Sequence, residues 1–281
     1  MPSTVPSTAP AARPGAAATA IRPVSVDSHR GKRWRPVAGY AHARGDEVVP
    51  LAAAELPRAA LHLVLSFVGR GESWLPAAVL GLEPGRNAYV GAAGDWQGGY
   101  IPESFRVQPF RLGRTKDGKA AVLCIDEAAA LAPAGAAGED FFADDGKLAP
   151  AVQEKFDLLG RIEAGRRRAA AACAVLARHA LIQPWPLVIK TASGERPVSG
   201  LFRIDEPALN KVTAQALLEL RDSGALLMAY CQLLSMQNLH SLGRLVGGQS
   251  ERDPAAPGLH AGGELDLEFL NRGGTLSLSG L

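Results

Sequence analysis

One stretch constrains the fold of this chain more than any other: Asn87–Leu112, NAYVGAAGDWQGGYIPESFRVQPFRL. It is aromatic, rich in glycine and punctuated by proline. Ala88–Val90 reads as a short strand and Trp96–Ile101 as the strand that returns beside it. Gly91–Gly94 with Asp95 supplies the turn, because glycine reaches positive φ without steric cost. Pro102 and Pro109 push the residues before them, Ile101 and Gln108, towards extended geometry. Trp96, Tyr100, Phe105 and Phe110 contribute large apolar bodies, which predicts a hairpin that plugs a core. Two readings of the glycines compete. They could let a ligand approach the backbone, making a recognition loop, or they could let the hairpin pack tightly on its own aromatics, which is the simpler solution.

Composition narrows the function classes. Hydrophobic content of 47% and charged content of 21% describe an ordinary globular chain. A chain of this length buries roughly 70–75% of its unfolded surface, so neither a disulfide nor a metal is needed to hold it. A formal net charge of +2 argues against bulk electrostatic attraction to nucleic acid or anionic lipid. The three cysteines, Cys124, Cys173 and Cys231, are odd in number, far apart and outside any CxxC, as free thiols in a reducing compartment would be. No basic segment followed by an apolar one marks a secretory signal. The most apolar window, Ala225–Leu242, carries Gln232, Ser235, Gln237, Asn238, His240 and Ser241, too many polar groups for a membrane span. The expected location is cytoplasmic.

Along the chain, Met1–Pro23 is alanine, proline, serine and threonine with few large apolar residues, and is expected to be disordered. Residues 1–24 form this tail, 25–246 the folded domain, and 247–281 a linker and C-terminal tail. Arg30, Lys32, Arg33 and Arg35 surround Trp34, a weak nucleic-acid signal whose blander reading is an arm with a buried tryptophan. Pro50–Ala60 reads as a short helix with Glu55 in its middle. Leu61–Val68, LHLVLSFV, is a continuous apolar run bounded by Gly69, the mark of a buried strand central in a sheet. Pro76–Leu80 and Ala120–Asp126 are further strands, and Asp144–Lys147 is a plain turn.

Pro150–Ile182 is expected to be one helix. Val152, Phe156, Leu159 and Ile162 form its first apolar stripe, and Cys173, Leu176 and Ala180 continue a second. Leu187–Lys190 and Val198–Ile204 read as strands joined through Ser193-Gly194-Glu195. Asp205 and Thr213 are helix caps, and Gly224 stops the helix that Thr213 begins. Leu226–Val246 is a helix apolar on more than one face, so it is either sheathed within the monomer or part of it meets a protein partner or a second copy. The fold class expected is α+β, with a β-rich N-terminal half and a mainly helical C-terminal half sharing one joint core and carrying one inserted hairpin.

The motifs of common chemistry are absent. The sequence has no Walker loop, GxGxxG, HExxH, GxSxG or zinc-spaced cysteine–histidine cluster. His62, His179 and His240 read as satisfied core or surface histidines. Asp126–Glu127 and Asp205–Glu206 are neighbours at strand ends, better explained by capping than by acid–base work. No catalytic residue, metal or cofactor is assigned, and no nucleic acid is expected as a partner.

The chain resembles the SapC-like family of bacterial proteins, named after a protein associated with paracrystalline surface layers. Three blocks carry the resemblance: His29–Trp34 with Val49-Pro50-Leu51 and Glu55; Asn87–Phe110 with its Asp-Trp, Tyr-Ile-Pro and Pro-Phe elements; and GLFRIDEPALN, Gly200–Asn210, followed by LRDSGALLMAYCQLLSMQNL, Leu220–Leu239. Together they span Ser25 to about Leu245. The resemblance implies a non-catalytic binding or assembly protein linked to the cell envelope or surface layer, which would need export without a cleaved signal or a cytoplasmic accessory role. The alternative is an enzyme or enzyme-accessory protein with a small-molecule pocket at the hairpin. In that case Trp96 and Tyr100 would touch the ligand, Arg106 would supply charge, and Glu55 or His29 would stand nearby.

Overall fold

The computed structural model describes residues 21–250 other than 72, 116, 118, 134, 192 and 193. The strands in chain order are β1 (Ile21–Pro23), β2 (Arg33–Trp34), β3 (Val48–Pro50), β4 (Val64–Arg70), β5 (Ser73–Val79), β6 (Phe110–Arg114), β7 (Ala121–Asp126), β8 (Glu139–Asp140), β9 (Ile182–Pro184), β10 (Leu187–Thr191), β11 (Gly194–Val198) and β12 (Phe202–Ile204). The helices are α1 (Val26–His29), α2 (Leu56–Ala59), α3 (Glu103–Arg106), α4 (Glu127–Ala130), α5 (Pro150–Arg178), α6 (Glu206–Leu209), α7 (Ala214–Asp222), α8 (Ala225–Ser235) and α9 (Leu239–Ser250). This is the α+β class expected, strand-rich to Asp126 and helical beyond it. Most of both expected tails lies outside the described residues. Ile21–Pro23, read as the end of the first tail, is instead a strand, and α9 runs on past Val246 to Ser250.

Where the sequence suggested one core, the chain forms two compact units, each drawing on both the β-rich and the helical half. Among the described residues the first comprises 21–39 and Glu103–Ala164, the second Tyr40–Pro102 and 165–250. In the first, β1, β7 and β6 form an antiparallel sheet in that order, with Ile21 opposite Asp126 and Phe110 opposite Ile125. Trp34 packs edge-on to Phe110, and both join Phe141, Leu123, Ile125 and the α5 residues Val152, Leu159 and Ile162 in one core. Phe156 completes the predicted stripe as a partly buried member. Trp34 is 1% exposed while Arg30, Lys32, Arg33 and Arg35 are all exposed, so the basic arm is charged stems around a buried ring.

The second unit is built on a five-stranded antiparallel sheet in the order β3-β5-β4-β12-β9. β4 is its middle strand, and Leu63 through Phe67 are all buried, but the predicted run Leu61–Val68 is a strand only from Val64, with Leu61 and His62 exposed ahead of it. β12 meets β4 at a single register position, Phe202 opposite Phe67. Side chains close this sparse seam. Ser66 Oγ donates to the Phe202 carbonyl at 2.8 Å and accepts from its N–H at 3.1 Å. From α8, Gln232 accepts from the Ile204 N–H at 2.9 Å and donates to the Leu65 carbonyl at 3.3 Å. Ser235 Oγ accepts from the Leu65 N–H at 2.9 Å. Thus α8 satisfies backbone groups that a full strand pairing would have satisfied.

Several helix ends follow the sequence reading. Asp205 and Thr213 accept from the N–H groups of Ala208 and Ala216, and Gly224 takes φ +75° between α7 and α8. Three expectations are corrected. α5 ends at Arg178 and Ala180 adopts φ +54°, so Ala180 is exposed and leaves the buried stripe of Cys173 and Leu176. Val198–Ile204 is two strands: β11 pairs with β10 in a separate hairpin, while β12 enters the five-stranded sheet. Leu226–Val246 is not one helix either. A 3-10 turn at Met236–Asn238 separates α8 from α9, where Asn238 Nδ2 donates to the carbonyls of Ala60 and Leu63.

Candidate functional site

The aromatic hairpin belongs to the second unit. The chain reverses there through Gly91 N–H to Asp95 O (2.9 Å) and Gln97 N–H to Tyr89 O (2.8 Å), with one antiparallel bridge between Val90 and Trp96. The two strands expected on its flanks do not form. Gly98 and Gly99 follow Trp96 without side chains to pack on a pleated surface, and Pro102 lacks a donor. The indole of Trp96 stacks on Tyr89 at 5.4 Å and 14° and meets Tyr40 edge-on at 5.7 Å. Its Nε1 donates to the Tyr100 carbonyl at 2.9 Å. Tyr100 Oη in turn donates to Glu55 Oε1 at 3.1 Å, and Glu55 Oε2 accepts from the Ala52 N–H at 2.9 Å. Glu55 is only 3% exposed, so its carboxylate is held by partners that replace water.

The glycines of this hairpin face the chain's own side chains. A Cβ on Gly98 would stand 2.8 Å from the Tyr89 ring, and one on Gly99 would stand 2.5 Å from Nδ1 of His62. Close approach is what the glycines permit, and protein groups make that approach. Tyr89 is buried, which pushes its phenol up to about 12, and its hydroxyl has no hydrogen-bond partner among the described residues.

Of the five residues proposed from sequence, Trp96, Tyr100 and Glu55 come together in this cluster. His29 and Arg106 belong to the first unit. His29 is fully buried; its Nδ1 accepts from the Ser25 N–H at 3.3 Å and its ring lies 4.8 Å from that of Phe141. Its Nε2 is 3.2 Å from Glu127 Oε1, at ion-pair distance but out of line for a hydrogen bond, and Glu127 also meets Arg22 at 3.3 Å. Arg106 ends α3 with its side chain exposed, while its carbonyl accepts from Lys155 Nζ at 2.8 Å.

A second polar cluster was not legible as a site. His179, just beyond α5, places Nε2 2.8 Å from Glu219 Oε2 on α7, and Arg178 reaches the other oxygen at 2.6 Å. The hydrogen bond from His179, with the charge of Arg178 behind it, holds the Glu219 carboxyl below its usual range. His179 and Glu219, together with Lys211, Thr213 and Gln215, line a groove of about 400 Å³. His179 and Glu219 are 40 positions apart, and no motif connects them.

The thiols are poor nucleophiles. Burial pushes Cys173 up to about 12 and raises Cys124 and Cys231, and thiolate is the reactive form. Among the described residues, no group of three or more His, Cys, Asp or Glu side chains is placed to hold a metal ion, and no helix is long and apolar enough to cross a membrane.

The strands and helices together define an α+β protein that carries a packed aromatic hairpin, Trp96 on Tyr89. The SapC family model matches residues 24–242, and the chain belongs to that family. No curated protein and no solved structure matches it.

Proposed function

We propose that this member of the SapC family is a non-catalytic binding or assembly protein that works by contact with protein. The observation that supports this most is the internal packing of the Trp96 hairpin. Trp96 stacks on Tyr89, its indole and the Tyr100 phenol are engaged as donors, and the space beside Gly98 and Gly99 holds Tyr89 and His62. A loop built to receive a small molecule keeps convergent polar groups open to it; this one spends its indole on the Tyr100 carbonyl and the Tyr100 phenol on Glu55. A place at the cell envelope or surface layer is what the family resemblance implies, reached either from the cytoplasm as an accessory or by export without a cleaved signal.

A second reading, an enzyme or enzyme-accessory protein, draws support from the groove lined by His179 and Glu219 rather than from the hairpin. Native mass spectrometry of the purified full-length protein separates the two. The contact reading expects polypeptide masses alone. A stoichiometric small molecule retained by the native protein and lost on Trp96→Phe or on His179→Ala would replace it with the enzyme reading, at whichever position the loss occurs.

A further inference from the structure

We infer that α8 forms the centre of a two-fold interface with a second copy of this chain. The inference rests on the contact reading above and names its surface and partner. Leu227, Tyr230 and Leu234 are 58%, 48% and 66% exposed, against a residue type that is usually inside. Their spacing, i, i+3 and i+7, puts them on one face of α8. The opposite face carries Met228, Cys231, Gln232 and Ser235, all buried. Leu61, 65% exposed, extends the stripe: it follows Ala60, whose carbonyl is bonded to Asn238 about one turn beyond Leu234.

Three features select a second copy as the occupant. From Ser223 to Leu239 no residue carries a formal charge, so two such helices meet without like-charge repulsion. The order Leu227–Tyr230–Leu234 is close to its own mirror image. An antiparallel pairing therefore sets Leu227 of each copy against Leu234 of the other, with the two Tyr230 rings at the axis, and this is the self-complementarity an isologous contact needs. The area also fits. Four large side chains, each about half to two-thirds exposed, offer on the order of 400 Å² of apolar surface. A standard interface of about 800 Å² per partner, a little over half apolar, requires about 450 Å². Tyrosine at the centre of the patch is also where a contact that binds through a few anchors places one.

The test is sedimentation velocity of the full-length protein over a wide concentration range, with Leu234→Glu alongside. The inference expects a dimer that Leu234→Glu weakens at least about tenfold, with an unchanged circular dichroism spectrum and unfolding midpoint, since the substituted side chain is exposed. Tyr230→Cys should also cross-link to a covalent dimer under mild oxidation, whereas Gln215→Cys on exposed α7 should not; the native thiols are buried and contribute no background. A wild-type monomer at every concentration overturns the inference, as does a dimer indifferent to Leu234→Glu. If the monomer binds an apolar dye at this face and Leu234→Glu abolishes the binding, the face is open but receives a different protein, and the contact reading survives without self-pairing. If the monomer excludes the dye there, the chain's own residues cover the stripe. The failure of the contact reading itself is registered separately, by a retained small molecule in the mass spectrum.

Discussion

Replacing Gln232 with leucine tests how the second unit's sheet is held together. Leucine nearly matches the volume, so the perturbation is chemical. It removes the acceptor for the Ile204 N–H and the donor to the Leu65 carbonyl, at 2.9 Å and 3.3 Å. Gln232 is 2% exposed, so water does not take over either role. Each orphaned group costs about 1–3 kcal/mol, about 2–6 kcal/mol for the two. Exchanging a buried amide for a methyl-bearing side chain returns about 1–2 kcal/mol, leaving a net loss centred on about 2–3 kcal/mol. At a urea m-value of about 2–3 kcal/mol/M, the midpoint should fall by about 1 M. Tryptophan fluorescence is a suitable probe, because Trp74, Trp96 and Trp185 all lie in this unit. Ser235→Ala orphans the Leu65 N–H and should itself cost about 1–3 kcal/mol. Since both side chains hold Leu65, the double variant should depart from additivity. A Gln232→Leu midpoint within about 0.3 M of wild type, or above it, would refute the view that α8 closes the β4–β12 seam.

Three further outcomes are expected. Tyr89→Phe should leave the melting temperature unchanged or raise it, because the deleted hydroxyl is buried without a partner; a fall in calorimetry would reveal a bonded group. The three thiols should resist iodoacetamide at mildly alkaline pH in the native protein and all react in denaturant, as counted by intact mass. Glu219 is bound in its charged form, so its folded value lies below its unfolded one; its contribution to stability is full above the ordinary carboxylate range and is lost as pH falls through the folded value. Acid unfolding followed below about pH 4 should therefore lose part of its pH dependence in His179→Ala.

The sequence announced elements wherever one local rule dominated. The apolar run Leu61–Val68 marked a buried central strand, and the structure places one there from Val64 onward, leaving Leu61 exposed. Asp205, Thr213 and Gly224 are fixed by the bonds that a helix end leaves open. The flanks of the Trp96 hairpin misled because aromatic content suggested strands, whereas Gly98 and Gly99 admit Tyr89 and His62 against the backbone instead. Gln232 and Ser235 counted simply as polar interruptions of an apolar window, because their partners on β4 and β12 are distant in sequence. The candidate site was divided for the same reason. Trp96, Tyr100 and Glu55 converge, but His29 and Arg106 fall in a unit whose membership no local pattern reveals.

The pairing of Ile21 with Asp126 has a consequence for the chain while it is being made. Translation runs from the N-terminus at about 5–20 residues per second, so β1 waits roughly 5–20 s for its partner strand to leave the ribosome. Trp34 waits about as long for Phe141, and for Phe110 only slightly less. The β4–β5 hairpin, by contrast, has all its partners as soon as Val79 has emerged. Throughout that delay the nascent chain carries a bare indole. Arg30, Lys32, Arg33 and Arg35 flank it closely, as charged gatekeepers flank an unavoidable apolar segment. In the finished protein these cations surround a ring already buried; during synthesis they stand beside it while it is still bare.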